Sequence, residues 1–577
     1  MADKPESSMA PFIQAGQAFM ENFLKAMTAA GADPKLAALV QASSVPPSGA
    51  TAKMSELQAR LMQQHAQLWT SMLGRQQGQA VTAVAAPAPG DRRFSGSQWQ
   101  TEPFYDFVRQ SYLINSQFAR DAVEALEVDE HAREKLRFSV AQMVDALSPA
   151  NFAATNPEAM KLALETQGGS LSQGLKNLFD DVQKGHLSIT DESAFEVGRN
   201  LAVTEGAVVY ENELMQLIQY APLTSEVHQR PLLIVPPCIN KFYILDLQPE
   251  NSFVRHAVEQ GHTVFMVSWR NVTAAQGTLT WDDYLTQGVL NAIDAVRAIA
   301  RVERINALGF CVGGTLLSAA LAVLAARGEE HAESLTLLAS MLDFSNTGEL
   351  GIFVDETSVA GREAAIGAGG IMPGKELAFV FSALRANDLV WSYVVNNYLK
   401  GRQPAAFDIL YWNADSTNLP GPMYCSYLRN MYLDNSLREP GKLHMLGQRV
   451  DLGTLRMPAY ILATREDHIV PWKTAYLSTG LLEGDARFVL GASGHVAGVI
   501  NPAGKNRRSF WVGDALPADP DVWFAQAKEQ PGSWWRDWAS WLSAHGGAKR
   551  KAKKTLGNAK YKPIEPAPGR YVREPAA

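Results

Sequence analysis

The stretch Leu308–Gly314 constrains the fold of this chain more than any other. It carries the pattern G-x-C-x-G between an apolar, strand-like segment and an apolar helix predicted over residues 315–327. This pattern is typical of a tight strand-to-helix turn that holds one reactive side chain out at the top of a sheet. Gly309 and Gly313 fit positions where the backbone comes too close to its neighbours for a Cβ. The pattern predicts Cys311 as a nucleophile.

A thiol at this position lies at the N-terminus of the following helix. The helix dipole and its free N–H groups favour the thiolate there. A free cysteine is, however, also a common small core residue. The rest of the chain must therefore supply the partners that an activated thiol needs.

Two polar loops supply candidate partners for Cys311. Segments 459–463 and 486–490 predict strands, and Asp467 and His495 follow them in loops. Both side chains should therefore emerge at the carboxyl ends of parallel strands, on the edge where Cys311 lies. The order nucleophile, acid, histidine is that of the α/β-hydrolase fold. The sequence predicts a Cys311–His495–Asp467 triad with His495 as base and Asp467 as acid.

Two other residues compete for these roles. Asp343 also follows a predicted strand, but it comes one strand too early for the acid. His468 is a weaker candidate for the base, with a local hydrogen-bonding role in the acid loop expected instead.

An oxyanion formed during acyl transfer needs N–H donors. One donor is predicted at the backbone of Val312, directly after the nucleophile. The second should come from the loop after strand 232–235, where Pro237 has no N–H and Cys238 or Ile239 is expected to donate. Cys238 is expected to line the pocket, although a second nucleophile at this position stays open.

The alternation of strands and helices predicts a mostly parallel sheet with flanking helices. The expected order is a flexible, partly helical segment (1–95), an α-helical N-terminal domain (96–190) and an α/β-hydrolase catalytic domain (191–577). Within the last, an aromatic-rich stretch (about 345–438) predicts an inserted cap, and a tail starts at about 546. Local patterns predict helices at 12–27, 54–72, 104–122, 130–147 and 157–184, linkers at 42–52 and 78–90, strands at 195–203 and 208–220 around a Glu205-Gly206 turn, and a solvated charge run at 549–554.

Composition excludes several classes of protein. Hydrophobic residues make up 46% of the chain and charged residues 19%, and the net charge of -7 argues against nucleic-acid binding. The three distant cysteines form neither a disulfide framework nor a zinc pattern, so a reducing cytoplasm is expected. The beginning of the chain lacks the pattern of a secretory signal. The longest apolar run, residues 316–326, is too short for a bilayer span.

Several motifs together resemble the polyhydroxyalkanoate synthases, which polymerise (R)-3-hydroxyacyl-CoA into a storage polyester. The resemblance runs from about Trp99 to the end of the chain, and class I is the most similar type. The motifs that carry it are V-P-P-C-I-N-K-F-Y-I-L-D-L-Q-P (235–249), H-T-V-F-M-V-S-W-R-N (262–271), G-F-C-V-G-G-T (309–315), N-D-L-V-W (387–391), N-L-P-G-P (418–422), R-E-D-H-I-V-P-W (465–472), G-A-S-G-H-V-A-G-V-I-N-P (491–502), G-S-W-W (532–535) and I-E-P-A-P-G-R-Y-V (564–572).

The resemblance implies that Cys311 carries the growing chain and that His495 is the general base. It implies that Asp467 either orients the histidine or activates the incoming 3-hydroxyl. It also implies short-chain substrates, no cofactor because CoA is only the leaving group, a homodimer, and a location on polyester granules in the cytoplasm. Arg385 is a candidate contact for the CoA phosphates.

Two other functions remain open at the level of sequence. A thioesterase or ester hydrolase on the same scaffold would pass the acyl group to water. A granule-coating protein with a dead site would carry no activity, and the intact Cys311, Asp467 and His495 argue against it.

Overall fold

The computed structural model describes residues 48–77, 79 and 81–576, which form two compact units. The N-terminal unit contains the described residues up to Thr190 together with Ser382–Ala405. The sheet unit contains Asp191–Phe381 and residues 406–576. The helix predicted at 12–27 lies outside the described residues, as does the beginning of the linker predicted at 42–52. The stretch predicted as a cap, 345–438, is divided between the two units.

The N-terminal unit is helical. Asn156 caps one helix by accepting a hydrogen bond from the Ala159 N–H (3.0 Å), with Pro157 at the first helical position, as predicted. The single helix predicted over 157–184 is wrong, because Gln167 and Gly168 have positive φ angles of 52° and 86° and break it. The helices of this unit span Ser48–Gln76, Gln98–Thr101, Pro103–Glu124, Glu130–Ala146, Pro157–Glu165 and Gly169–Lys184, with π-helical turns at Asn387–Trp391 and Val394–Leu399.

The helix Ser48–Gln76 packs on its own chain. It starts within the predicted linker at 42–52 and contributes to a small apolar cluster formed by Leu61, Leu68, Phe107 and Ile114. The Gln110 side chain also accepts hydrogen bonds from the backbone N–H groups of Val84 (2.7 Å) and Ala85 (3.1 Å). The stretch predicted as a linker at 78–90 is thus fastened to the helix that carries Gln110.

The described part of the sheet unit contains an eleven-stranded sheet and three short antiparallel strand pairs. The strands of the unit are β1 (Gly206–Glu211), β2 (Met215–Tyr220), β3 (Glu226–His228), β4 (Leu232–Val235), β5 (Val264–Trp269), β6 (Ile305–Phe310), β7 (Ala332–Leu338), β8 (Ile371–Met372), β9 (Leu419–Pro420), β10 (His444–Met445), β11 (Gln448–Arg449), β12 (Ala459–Thr464), β13 (Ala486–Gly491), β14 (Ser509–Val512), β15 (Lys528–Pro531), β16 (Lys549–Lys551) and β17 (Glu565–Pro566).

The order across the large sheet is β15-β14-β13-β12-β7-β6-β4-β5-β2-β1-β17. Its centre, from β13 to β5, is parallel, and the remaining pairings are antiparallel. The predicted mostly parallel sheet is therefore confirmed. Because β6, β12 and β13 are all in its parallel centre, the loops after them open on one edge.

Helices flank this sheet and form the stretch between β7 and β12. Among them, 281–300 is continuous but contains a π-helical segment, Tyr284–Leu290. The helices wholly within the unit span Phe253–Glu259, Trp281–Asp283, Tyr284–Leu290, Asn291–Ala300, Val312–Ala326, Glu356–Arg362, Glu363–Gly367, Asp408–Ala414, Gly421–Tyr427, Leu428–Leu433, Trp472–Leu477, His495–Val499, Pro520–Gln526 and Trp535–Ala544; Gly374–Leu384 crosses from this unit into the other.

Two local predictions for the sheet unit are wrong. The stretch 195–203 forms only an isolated bridge between Val197 and Leu201. The first hairpin turns at 212–214 rather than at Glu205-Gly206, because the Asn212 side chain accepts hydrogen bonds from two N–H groups of the turn. The four lysines of the charge run at 549–554 are exposed, as predicted, and its first three residues form β16, which pairs antiparallel with β3.

One face of the sheet is covered by a cluster of large aromatic side chains. Trp538 is fully buried, its ring lies 4.5 Å from that of Phe253, and its Nε1 donates a hydrogen bond to the Thr336 hydroxyl (3.2 Å). Trp534 and Trp535 are buried in the same cluster. The Trp-rich segment thus anchors the helix Trp535–Ala544 to the sheet.

We predict that Trp538→Ala lowers the free energy of unfolding by about 3–5 kcal/mol, because it opens a large cavity and leaves Thr336 without its partner. Urea unfolding followed by fluorescence and circular dichroism measures this. Trp541→Ala, at a half-buried position, is the control and should cost clearly less. Equal losses for both variants would contradict the assigned role of the cluster.

Candidate active site

Cys311 lies at a strained turn between β6 and the helix Val312–Ala326. Its φ of 54° and ψ of -130° place a non-glycine residue in a sparsely populated region of backbone space. Glycine makes this turn sterically feasible. A Cβ at Gly309 would overlap Gly314, and a Cβ at Gly313 would overlap the carbonyl oxygens of Val235 and Pro236. The helix therefore approaches the loop after β4 closely.

The structure brings the three predicted site residues together. The His495 Nδ1 lies 2.7 Å from the Asp467 Oδ2, and the imidazole also interacts electrostatically with the Cys311 thiol. His495 and Asp467 are buried, whereas Cys311 is half-buried. The His495 ring stacks on Phe310 at 5.6 Å. A thiol, an imidazole and a carboxylate arranged in this order in space can generate and stabilise a thiolate nucleophile.

Asp467 is held by its own loop. Its Oδ1 accepts hydrogen bonds from the N–H groups of Ile469 (2.9 Å) and Val470 (2.8 Å). Its Oδ2 accepts one from the Thr464 hydroxyl (3.1 Å) in addition to that of His495. Both carboxylate oxygens are thus satisfied, and the side chain has one orientation.

The charges of the site reinforce one another. Burial by itself would lower the pKa of His495, but the charges of Asp467 and Cys311 and hydrogen bonds to both raise that pKa well above its usual value. Burial would raise the pKa of Asp467, yet the His495 charge, its hydrogen bond and the two N–H donors lower it. The imidazole is therefore stabilised in its protonated form beside an ionised carboxylate.

The predicted oxyanion donors belong to the helix after Cys311 and to the loop that this helix approaches. Val312 is the first residue of the helix after the thiol, where N–H groups have no intrahelical acceptor. Ile239 belongs to the loop after β4, against which that helix packs. In the part of the chain that the structure describes, no hydrogen bond is formed by the Ile239 N–H. Both N–H groups are thus available to a ligand.

Cys238 is in a different environment from Cys311. It is 2% exposed, and burial raises the pKa of its thiol well above the usual range. A thiol kept neutral in this way is a poor nucleophile. Cys238 belongs to the apolar core of the sheet unit and is not among the residues that line the cavity of about 470 Å³ beside Ile239.

The competing residues have other contacts. Asp343 forms an ion pair with Arg438 (2.8 Å) and accepts a hydrogen bond from Asn435, both at the end of the predicted cap. It is Asp467, and not Asp343, that lies beside His495. His468 is not the histidine that pairs with this carboxylate. Arg385 is part of the N-terminal unit.

A cavity of about 470 Å³ lies in the sheet unit, between the stretch 350–381 and the helices after β9. Its lining is predominantly apolar, and charged side chains also contribute. Ile239, Tyr427 and Tyr432 line it, and the two tyrosines interact electrostatically with Cys311. These tyrosines and Phe344 form an aromatic cluster with ring separations of 5.2–6.1 Å.

Sequence reasoning missed two hydroxyl groups at the site. Thr464 directly precedes the acid loop, and its position at the end of β12 is the only signal for its contact with Asp467. Thr417 donates a hydrogen bond to the Cys238 carbonyl oxygen (2.7 Å) from a point 179 residues further along the chain. No local pattern could have indicated that contact.

Two sequence models of known families match the chain. The model described as Poly-beta-hydroxybutyrate polymerase (PhaC) N-terminus matches residues 90–257, and the model described as alpha/beta hydrolase fold matches residues 231–502. The second match includes Cys311, Asp467 and His495.

Full-length relatives extend the match. The chain is 56% identical over 535 residues to the poly(3-hydroxyalkanoate) polymerase subunit PhaC of Cupriavidus necator, covering 91% of this chain and 89% of the relative. It is 42% identical over 523 residues to the subunit of the same name from Rhizobium meliloti, covering 90% and 85%. Among solved structures, a hydrolase from Pseudomonas aeruginosa covers 51% of this chain and 92% of its own length, with 15% identity and a TM-score of 0.31.

We predict that the pKa of His495 falls when either of its charged neighbours is removed, because both favour the imidazolium. In Asp467→Asn and in Cys311→Ala, the ring should lose its proton at a lower pH than in the wild type. Nuclear magnetic resonance titration of selectively labelled histidine measures this, with His495→Gln assigning the signal. A pKa that is unchanged in both variants would contradict the described charge arrangement.

Proposed function

The chain belongs to the poly(3-hydroxyalkanoate) polymerase family and is an acyltransferase, and on this premise we propose that it polymerises (R)-3-hydroxyacyl-CoA with release of CoA. The observation that carries the proposal is the contact of Cys311, His495 and Asp467 at one edge of the sheet. Short-chain units such as 3-hydroxybutyryl are the proposed substrates, as the class I resemblance implies.

In the proposed first step, the Cys311 thiolate attacks the thioester carbonyl of the substrate. The oxyanion that forms accepts hydrogen bonds from the N–H groups of Val312 and Ile239. The C–S bond to CoA then breaks, and the CoA thiolate takes the proton held by His495. The product is an acyl-cysteine thioester and free CoA.

A thiol nucleophile suits this exchange. Thiols of similar acidity leave with similar ease, so the acyl group moves between them without a large free-energy change. The thioester on Cys311 keeps the acyl group reactive for the next step. The proposed reaction needs neither a metal nor an organic cofactor, since the leaving group is part of the substrate.

In the proposed elongation step, a 3-hydroxyl oxygen attacks a thioester carbonyl. The hydroxyl proton passes to His495, an ester bond forms, and the C–S bond of the thioester breaks to release a thiolate. Asp467 is placed to hold the resulting imidazolium, which stabilises the charge that develops on the ring. Direct activation of the hydroxyl by Asp467 is the alternative assignment for this carboxylate.

The cavity beside the aromatic cluster supports acyl binding. Its apolar walls fit a hydroxyacyl unit, because moving the carbon chain of this unit out of water costs little free energy. Arg385 remains a proposed contact for the phosphates of CoA.

The partners proposed beyond the substrate are the nascent polyester, the granule surface and a second copy of the chain, in the cytoplasm. Within the described residues, no helix combines the length and the apolar character required to traverse a bilayer. Family membership is what supports the granule and the homodimer.

We predict that Cys311→Ala abolishes both CoA release and polymer formation from (R)-3-hydroxybutyryl-CoA, because the acyl acceptor is lost. Free thiol and insoluble polyester are measured together over time. Cys425→Ala, which removes a buried thiol from the helix Gly421–Tyr427, is the matched control and should retain activity.

Other results of this assay support other functions. CoA release that yields only soluble hydroxy acid would make the protein a thioesterase. No CoA release from the wild type, with Cys311 still open to thiol reagents, would favour a granule-coating protein.

We predict that Asp467→Asn retains acylation but loses elongation if the carboxylate activates the hydroxyl. Loss of both steps to the same extent is expected if Asp467 only orients His495. Single-turnover acylation with radiolabelled substrate and steady-state polymer formation separate the two cases. Asp343→Asn is the control, because that carboxylate contacts Arg438 and Asn435 instead of His495.

A further inference from the structure

We propose that Thr417 is a positioning residue that aims the Ile239 N–H at the oxyanion, so that the segment 412–418 completes the donor pair. This inference rests on the proposed acyl transfer at Cys311. In this proposal Thr417 does not take part in the chemistry at the thiol. It acts only through its contacts with the loop after β4. The contacts that support it lie wholly within the sheet unit.

The geometry of one peptide unit carries the inference. The Cys238 carbonyl and the Ile239 N–H belong to the same planar, trans peptide group, so they point in opposite directions. The Thr417 hydroxyl donates to this carbonyl at 2.7 Å, and the Thr417 side chain is fully buried. Fixing the carbonyl on one side fixes the direction of the N–H on the other.

The next peptide group is held by the same residue. The Thr417 N–H donates to the Ile239 carbonyl oxygen (3.1 Å), and Asn240 forms an antiparallel bridge with Ser416. Thr417 therefore contacts the peptide groups on both sides of the Ile239 α-carbon. The Ile239 N–H between them is left without an acceptor among the described residues, as an oxyanion donor must be.

Neighbouring contacts hold the segment 412–418 itself. Trp412 Nε1 donates to the Lys241 carbonyl oxygen (2.6 Å), and the Tyr243 hydroxyl donates to Asp415 (2.9 Å). On its far side, the Asn418 N–H donates to the Asn271 side chain (2.9 Å). The segment is thus fixed to two loops at the edge of the sheet, which makes it a rigid support.

A change at Thr417 should affect acylation of Cys311 but not its alkylation. Acyl transfer to Cys311 passes through an oxyanion, so it depends on the direction of the Ile239 N–H. Alkylation of the same thiol by iodoacetamide is a direct displacement at carbon without an oxyanion. A positioning role predicts that only the first reaction responds to the Thr417 hydroxyl.

The test compares Thr417→Val, Thr417→Ser and wild type in the full chain. In Thr417→Val, we expect the rate of Cys311 acylation to fall about 10–100-fold, somewhat less than is typical for removal of an oxyanion donor itself. The KM and the rate of alkylation by iodoacetamide should change less than about 2-fold. Thr417→Ser keeps the hydroxyl and should restore acylation to within about 3-fold of the wild-type rate.

Two acyl donors separate this inference from the proposed function. p-Nitrophenyl butyrate reports acylation of Cys311 by its burst of nitrophenol, and (R)-3-hydroxybutyryl-CoA reports the natural reaction. If the wild type is acylated by the ester but makes no polymer from the thioester, the proposed function fails and the Thr417 comparison is still decided by the burst. Absence of acylation by either donor would overturn both.

Thr474→Val is the matched control. Its hydroxyl is equally buried and also donates to a backbone carbonyl, that of Asn346 (2.8 Å). Thr474→Val should lower the free energy of unfolding by about as much as Thr417→Val does, but it should leave the rate of Cys311 acylation unchanged. If Thr417→Val does not fold, Thr417→Ala and Thr417→Ser form a pair that differs only by the hydroxyl.

The positioning role is overturned if acylation and alkylation fall together, which would indicate general damage to the site. It is also overturned if acylation in Thr417→Val stays within about 2-fold of the wild type.

Discussion

The close approach of the helix Val312–Ala326 to the loop after β4 is the constraint on which the site depends. It requires glycine at position 313, where a Cβ would overlap the backbone of Val235 and Pro236. This approach places the thiol at a strained turn beside the loop after β4, which carries Ile239. Strain at Cys311 persists because the packing around the turn leaves no alternative.

The Asp467–His495 pair adds the second requirement, a fixed buried charge. Burying a carboxylate costs free energy unless hydrogen bonds replace its water. Asp467 has four such donors, from Thr464, Ile469, Val470 and His495. The imidazolium is thereby stabilised beside the thiol.

The stretch between β7 and β12 is tied to this edge of the sheet at two points. Its segment 412–418 bonds to the loop that carries Ile239, and its far end is tied to Asp343 through Arg438 and Asn435. Asp343, the rival candidate for the acid, thus contacts Arg438 and Asn435 and not His495. The same stretch supplies the aromatic wall between the cavity and Cys311.

The sequence by itself determined the parallel centre of the sheet, the turn at Cys311 and the order of acid and histidine. Each of these depends on local patterns: apolar runs, paired glycines and polar residues directly after strands. Prediction from the sequence failed where local signals were weak or where contacts with distant residues overrode them. The break at Gln167–Gly168, the turn at Asn212 and the pairing of β16 with β3 depend on single side chains or on distant strands.

Only the tertiary structure decided that Asp343 pairs with Arg438 and Asn435, and that Thr417 contacts the Cys238 peptide. Both contacts join residues far apart in the chain, and hydrogen bonds of this kind have no periodicity that a sequence could display. Their partners are set by the packing of whole elements, which follows from the summed burial of apolar surface rather than from any one motif.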